Sequence, residues 1–567
     1  MSKIKFENFV FSIVMLLISF LVIYPVSMMV AGTFFTDSGD LTLHYWQSVW
    51  TKPILIDATI NTLLVTTTSA VIAVVFGVAL SFIVSRTDTP MRKYFELVSV
   101  VPFITPPIIA GFAWTFLAEK NVGLLNLMLE YLGLPFRFNA MSLCGVIFVT
   151  TLYLIPLVFL ITNGSMRTIN PELEEAAFTA GASRIETFLR ITIPLMLPSI
   201  TSAALLAFMY SNVVFGIHAT LGLPVNLWFL TTAIYQSLSV VPIEWNQAAI
   251  IAFILMIFGA GATYLQIRLL GKKGYATLTG KGFRPSIISL GRWRWVAWGG
   301  CIFYLFVVAI LPYLILFLRS VKPYTFQANM KIVDLLTGWQ FDKYFAIITG
   351  EVGSAIRNGI LNSFILALAA ATVIIILTSI SAYIITKTKV RGRQALNFLC
   401  MIPLALPGIV LGVAILWGYT REFLMLYGTI WILLVAYIVK DLPLGLRSIH
   451  ASFLQVHPEL GESARTCGAS WFEQFTKITI PLVKPGLVIG FVLVFASIMR
   501  EIGASILLYS YGNEIVAYTL FNLWENGEFQ TLSSFIMITT FVTIAVVWMI
   551  LKTSGMKFID VMRSEST

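Results

Sequence analysis

The sequence predicts an all-α polytopic membrane protein with about 12 transmembrane helices, arranged as two homologous six-helix halves. Three observations carry that expectation: an apolar composition, a series of uncharged runs long enough to cross a bilayer, and a motif pattern written twice. The chain has 567 residues, of which 58% are hydrophobic and 11% charged. Soluble domains carry about 25% charged and about 45–50% apolar residues, and a soluble core of this length would leave much of the excess in water. Disordered, collagen-like and disulfide-rich classes are excluded on the same grounds. Cys144, Cys301, Cys400 and Cys467 are scattered, with no CxxC pair and no histidine at zinc-ligand spacing, so no metal site is expected.

The spans follow in order. Lys3 and Lys5 precede an apolar run over 8–36 that is too long for a signal-peptide core and lacks a cleavage site, so it reads as a first, uncleaved span. Uncharged stretches then nominate 58–85, 97–118, 138–166, 191–243, 245–267, 295–318, 358–386, 394–420 and 529–551. Within 191–243, one span over 199–218 is followed by an apolar loop containing Gly222, Pro224 and Asn226. Two further spans hold charge: Lys440 and Asp441 in 429–449, and Arg500 and Glu501 in 486–508. The formal charge of +10 would suggest nucleic acid in a soluble chain. Here most of the Lys and Arg fall at the two ends and in alternate loops, 85–93, 163–198, 268–294, 387–393 and 447–484. The positive-inside rule places those segments and both termini in the cytoplasm, and the basic excess then needs no nucleic acid.

The chain repeats itself. Asn61, Pro102, Pro106 and Gly111 recur as Asn362, Pro403, Pro407 and Gly412, each 301 residues later. Pro171, Gly181, Pro194 and Pro198 recur as Pro458, Gly468, Pro481 and Pro485, each 287 residues later. The expected organisation is a first half over 1–270, a basic linker over 271–294 and a second half over 295–567. Parallel repeats imply a pseudo-twofold axis along the membrane normal, with a pathway at the interface between halves.

Each half carries one long polar loop, 163–198 and 450–485. The first reads Glu175-Ala176-Ala177-Phe178-Thr179-Ala180-Gly181, nine residues, then Ile191-Thr192-Ile193-Pro194. The second reads Glu462-Ser463-Ala464-Arg465-Thr466-Cys467-Gly468, nine residues, then Ile478-Thr479-Ile480-Pro481. Pro171 and Pro458 suit the first turn of a short helix, with glutamates near its positive end. The small residues at 176, 177, 463 and 464 leave a face that another protein can approach closely. Gly181 and Gly468 can take the positive-φ turn that ends the helix.

This pattern resembles the E-A-A-x-x-x-G-x9-I-x-L-P signature of permease subunits in binding-protein-dependent ABC importers, with Ser463 in place of an alanine. The resemblance covers nearly the whole chain. It implies a type I ABC importer permease fold in a bacterial cytoplasmic (inner) membrane, at rest open inward. It also implies two copies of a cytoplasmic ABC ATPase docked on the two loops, with Glu175, Ala176, Ala177, Gly181, Glu462, Ser463, Ala464 and Gly468 as the docking residues. An extracytoplasmic (periplasmic) solute-binding protein is the further partner. ATP and Mg would be used by the ATPase, and this chain would bind no cofactor. The nearest approach to a P-loop, Gly274 to Gly282, has five residues between its glycines and Gly282 where a Ser or Thr should hold magnesium, so no nucleotide site or enzymatic activity is expected. Pro102-Phe-Ile-Thr-Pro-Pro107, Pro403-Leu-Ala-Leu-Pro407-Gly408, Arg500-Glu501-Ile-Gly503-Ala504 and Leu221-Gly222-Leu223-Pro224 look like the fused permeases of ferric-iron importers, whose relatives include phosphonate and sugar-phosphate systems. The solute expected is ferric iron or a small anionic organic solute such as 2-aminoethylphosphonate or a sugar phosphate. A twelve-span secondary transporter driven by an ion gradient is the alternative, although it would not need paired docking loops.

Ionisable residues inside spans are costly and default to functional hypotheses. Lys440 with Glu501, or Asp441 with Arg500, would neutralise one another across helices. The other reading places one of them on the translocation pathway, with Asn212 supplying polarity in the first half. The scattered histidines give no catalytic constellation.

Overall fold

In hydrocarbon a backbone must satisfy its own hydrogen bonds, so uncharged runs of span length fold as helices. The computed structural model describes residues 2–36, 39–92, 94–95, 105–270, 287–322, 337–420 and 425–555, and every regular element among them is helical. Nine of the described helices are long and apolar enough to cross a membrane. Five belong to the first half: Phe6–Phe34, Pro53–Arg86, Leu143–Thr168, Ile185–Val213 and Trp245–Gln266. Trp293–Val321, Ser354–Lys387, Trp471–Met499 and Phe529–Thr553 belong to the second. The helix Ile430–Gln455 has the 26-residue length of Leu143–Thr168 and lies 287 residues after it, with Lys440 and Asp441 inside.

The third segment of each half is short. Pro107–Ala118 and Gly408–Tyr419 are 12-residue helices at equivalent positions. In the second half the preceding helical segment, Arg393–Ala405, meets Gly408–Tyr419 at a bend of 110°. The span expected over 394–420 is therefore a sharply broken one. Pro407 lacks an N–H and forces Leu406 into extended backbone, which no helix continues through. In the first half, 96–104, with Pro102, lies outside the described residues. The same is true of 271–286, most of the linker and all of the P-loop-like stretch.

The fifth span of each half begins with a five-residue π-helical turn, Phe188–Thr192 and Phe475–Thr479, just before Pro194 and Pro481. After the fifth span the chain turns back on itself. In the first half Phe215–Gly222 is followed by a tight turn through Asn226, at φ 54°, and by Leu230–Ser239. His218 is buried there, stacked on Phe229 at 4.2 Å and bonded to Thr231 at 3.0 Å. The repeated asparagine pins this segment. The Asn61 side-chain amide donates to the Trp228 carbonyl at 3.1 Å, and the Leu230 amide donates to Thr62 at 2.9 Å. In the second half Asn362 donates to the Glu514 carbonyl at 2.9 Å and Val516 N–H donates to Ser363 at 2.8 Å. A polar pair on the second span thus caps the returning helix in each half.

Contacts divide the chain into two compact units that are not the two sequence halves. One comprises 1–51, 234–256 and 341–565; the other comprises 52–233 and 257–340. In the first of these, Ser2–Phe34 packs on Gly408–Tyr419 so closely that a Cβ on Gly32 would meet the Trp417 ring at 2.6 Å. Tyr419 also donates to the Phe20 carbonyl at 3.3 Å. In the second unit, Trp293–Val321 packs on Pro107–Ala118, with the Thr105 and Tyr313 hydroxyls 2.8 Å apart and the Arg319 guanidinium 5.7 Å from the Phe116 ring centre. Each unit therefore takes its first helix from the other sequence half, and that helix meets the equivalent short third helix in both.

Candidate functional site

The two repeated loops fold alike. Asn170 caps Pro171–Thr179 by accepting the Glu172 amide at 3.0 Å, and proline stands in the first turn. Its counterpart is Pro458–Thr466. Both helices end in the same way. Ala182 N–H reaches back to the Ala177 carbonyl, and Ala469 N–H to the Ala464 carbonyl, each at 3.0 Å. Gly181 and Gly468 carry the required φ of +87° and +83°. A second helical turn follows, capped at Ser183 and Ser470, each accepting an amide at 3.2 Å. Ion pairs four residues apart hold that turn, Arg190 with Glu186 at 2.8 Å and Lys477 with Glu473 at 2.9 Å.

The residues singled out in these loops share one pattern of exposure. Glu175, Ala176 and Gly181 are exposed and Ala177 is half-buried; Glu462, Ser463 and Gly468 are exposed and Ala464 is half-buried. Each loop thus offers a carboxylate beside small side chains and a glycine turn with no heavy atom within 4 Å of a would-be Cβ. Leu173 and Leu460 add an exposed leucine to each helix, at 47% and 46%. A short helix with an uncovered acidic and apolar face can seat in a complementary cleft.

The intramembrane charges Lys440, Asp441, Arg500 and Glu501 gather in the first unit. Lys440 Nζ lies 2.5 Å from Glu501 Oε2, one of the two cross-helix pairings that the sequence suggests. Lys440 also lies 3.7 Å from Asp441, which accepts a 2.7 Å hydrogen bond from Ser497. Glu501 accepts the Ala504 amide at 2.8 Å, just ahead of the short turn Ser505–Leu508 that follows the break of the fifth span. Its carboxylate sits against Gly408, where a Cβ would come within 2.6 Å of Oε1. Nearby, Tyr437 and Ser505 share a 2.8 Å hydroxyl contact. Arg500 is half-buried at the end of the fifth span. In the second unit, Asn212 is buried at the equivalent break, where no charge is present in the sequence.

Sequence reasoning missed a second buried ion pair. Arg86, fully buried at the end of Pro53–Arg86, pairs with Glu174 at 3.4 Å. Glu174 also accepts from Thr192 at 2.8 Å. Arg86 reads in sequence as one more basic residue at a span end; the available signal was Glu174, an acid on the inner side of a helix whose other glutamates face out.

The family model described as binding-protein-dependent transport system inner membrane component matches residues 69–273 and again 374–555. A ferric transport system permease protein of Actinobacillus pleuropneumoniae is 23% identical over 538 residues, covering 94% of this chain and 76% of that protein. An Fe(3+)-transport system permease protein of Haemophilus influenzae is 25% identical over 483 residues, covering 84% of this chain and 85% of that protein. A crystal structure of a bacterial ABC transporter importing alginate aligns at 20% identity with a TM-score of 0.40, over 47% of this chain and 97% of that one.

Proposed function

The chain belongs to the family of inner membrane components of binding-protein-dependent transport systems, and from that premise we propose that it is the fused permease of an ATP-driven importer of ferric iron, coupled to two cytoplasmic ATPase subunits through its two repeated loops. The observation that carries the coupling is the matched geometry of Glu175 to Gly181 and Glu462 to Gly468: the same exposure, the same positive-φ end and the same Thr-to-carbonyl bond, 2.8 Å and 2.9 Å, inside each helix. Nothing in packing alone requires two loops 287 residues apart in sequence to keep the same exposed carboxylate, small residues and glycine turn. Relatives named for ferric transport that span most of this chain support the solute.

In this reading both termini and both loops lie in the cytoplasm, and a periplasmic binding protein delivers the solute. ATP and Mg are held by the partner subunits. When these close on ATP, each clamps one short helix, and the displacement passes through the glycine turn and the second short helix into the fifth span. The chain contributes the pathway and the levers.

The test is co-purification and uptake together. Glu175→Lys with Glu462→Lys places repulsive charge on both faces without touching a buried contact. The double variant is expected to insert normally, to lose the ATPase on purification, and to lose ATP-dependent uptake of radioactive ferric ion supplied with the binding protein. A double variant that retains the ATPase sinks the docking assignment. Ferric uptake by the wild type that follows an ion gradient and ignores ATP sinks the importer reading in favour of a secondary transporter.

A further inference from the structure

The two loops share an outer face but are anchored differently to the spans behind them. In the first half, Arg86 ends the second span with no exposed surface. Its guanidinium pairs with Glu174 at 3.4 Å and donates to the Ile169 carbonyl at 3.4 Å, one residue before the cap of the short helix. The other oxygen of Glu174 takes the Thr192 hydroxyl, at the end of the π-helical turn that opens the fifth span. One buried carboxylate therefore ties together the second span, the short helix and the fifth span. The Arg86 carbonyl is occupied too, by the Ile288 amide at 2.8 Å.

In the second half the equivalents are Lys387, Val456, Gly461 and Thr479. Lys387 donates to the Val456 carbonyl, just as Arg86 donates to Ile169. The residue opposite is Gly461, which has no side chain, where the first half has Glu174. The Gln474 amide fills the space instead: a Cβ on Gly461 would lie 2.3 Å from its Nε2. Thr479 bonds the Gln474 carbonyl of its own segment at 3.3 Å and does not reach across to the short helix. Among the described residues, the carboxylate tie of the first loop has no counterpart in the second, where Gly461 stands at its central position.

We propose that Arg86 and Glu174 are positioning residues that make the first loop a stiff lever on the second and fifth spans, while the second loop is a compliant one, so that the two ATPase contacts transmit unequally. Buried, charge-assisted bonds resist local opening more than neutral ones do. The inference rests on the docking reading above for its consequence in transport, but the difference in stiffness belongs to this chain alone.

Hydrogen exchange followed by mass spectrometry tests it on the full chain in lipid nanodiscs, first alone and then with the ATPase, nucleotide-free and trapped with MgATP and vanadate. In the chain alone, Pro171–Thr179 is expected to exchange at least about tenfold more slowly than Pro458–Thr466, the factor that one charged hydrogen bond supplies. With the ATPase, trapping should change exchange at the Arg86 end of its span more than at the Lys387 end. Glu174→Gln should abolish the first difference and the nucleotide response at Arg86, which a contact that merely holds the fold together would not do. Gly461→Glu with Gln474→Thr rebuilds the first-half arrangement and should create a response at Lys387. Equal exchange of the two short helices in the wild-type chain overturns the proposal, as does a nucleotide response at Arg86 that survives Glu174→Gln. If Glu174→Gln does not accumulate in membranes, the wild-type comparison and the rebuilt second loop decide. A chain that never retains the ATPase refutes the docking reading and leaves the exchange comparison standing as the test of stiffness.

Discussion

Replacing Lys440 by methionine removes the ammonium that faces Glu501 and Asp441. Glu501 lies 2.5 Å from it and Asp441 3.7 Å, with side-chain exposures of 7% and 5%, against 21% for Lys440. Breaking a buried pair by deleting one partner costs about 3–5 kcal/mol, because the remaining charge is left uncompensated. Lys440 keeps a fifth of its surface, so screening reduces the expected loss to about 2–3 kcal/mol. Glu501→Gln keeps an amide oxygen for the Ala504 N–H while removing the charge, and Asp441 keeps its bond from Ser497. The double variant Lys440→Met with Glu501→Gln should therefore be more stable than the sum of the single losses, by about 2 kcal/mol. Reversible unfolding of the four proteins in mixed detergent micelles with rising SDS measures that difference. Losses that add to within about 0.5 kcal/mol would show that the pair is not energetically coupled and refute the reasoning.

Two further outcomes are expected. Gly111→Ala brings a methyl group 1.9 Å from the Thr220 hydroxyl, which is itself bonded to the Gly216 carbonyl, so about 1–3 kcal/mol should be lost where Pro107–Ala118 crosses Phe215–Gly222. Adding Thr220→Ala should restore most of it, and a failure to do so in the same unfolding assay would place the clash elsewhere. Asp88 receives the Leu290 amide at 2.8 Å and the Ser289 hydroxyl at 3.3 Å, and these bonds hold its carboxyl below the usual carboxylate range. A depressed carboxyl contributes above its unfolded pKa, and the contribution is lost as pH falls through the lower folded value. Protection of the Leu290 amide, corrected for intrinsic exchange, should be level near neutrality and drop only below a pH of about 4. Asp88→Asn should flatten that profile, and a wild-type profile that is already flat would count against the assignment.

The parts of this molecule that were legible in its sequence are those set by local chemistry. A proline at a helix start, a glycine at its end and small residues between them specify Pro171–Thr179 and Pro458–Thr466 almost without tertiary context. The offsets of 301 and 287 residues also fall at the equivalent boundaries of 12- and 26-residue helices. What the sequence hides depends on partners far along the chain. Ser497 carries no charge to advertise that it holds Asp441, and Arg86 looks like any basic residue at a span end. Pro403 and Pro407 were visible as a motif, yet an uncharged run cannot say whether its prolines tilt a helix slightly or fold it back by 110°. The exchange of first helices is invisible for a different reason. Adjacency in sequence favours neighbours within a half, and only the depth of the Gly32 and Trp417 contact shows the other choice.

That exchange bears on what the fusion accomplishes. Each compact unit contains the opening helix of the opposite repeat, so neither repeat translated alone carries all the pieces of either unit. During synthesis, the Ser2–Phe34 helix must wait for some four hundred residues before Gly408–Tyr419 emerges to receive it, whereas Trp293–Val321 finds its partner already made. The covalent joint at 271–294 therefore sets the one-to-one proportion of the repeats and the order in which they appear, while the reciprocal loan of a helix makes them a single folding problem.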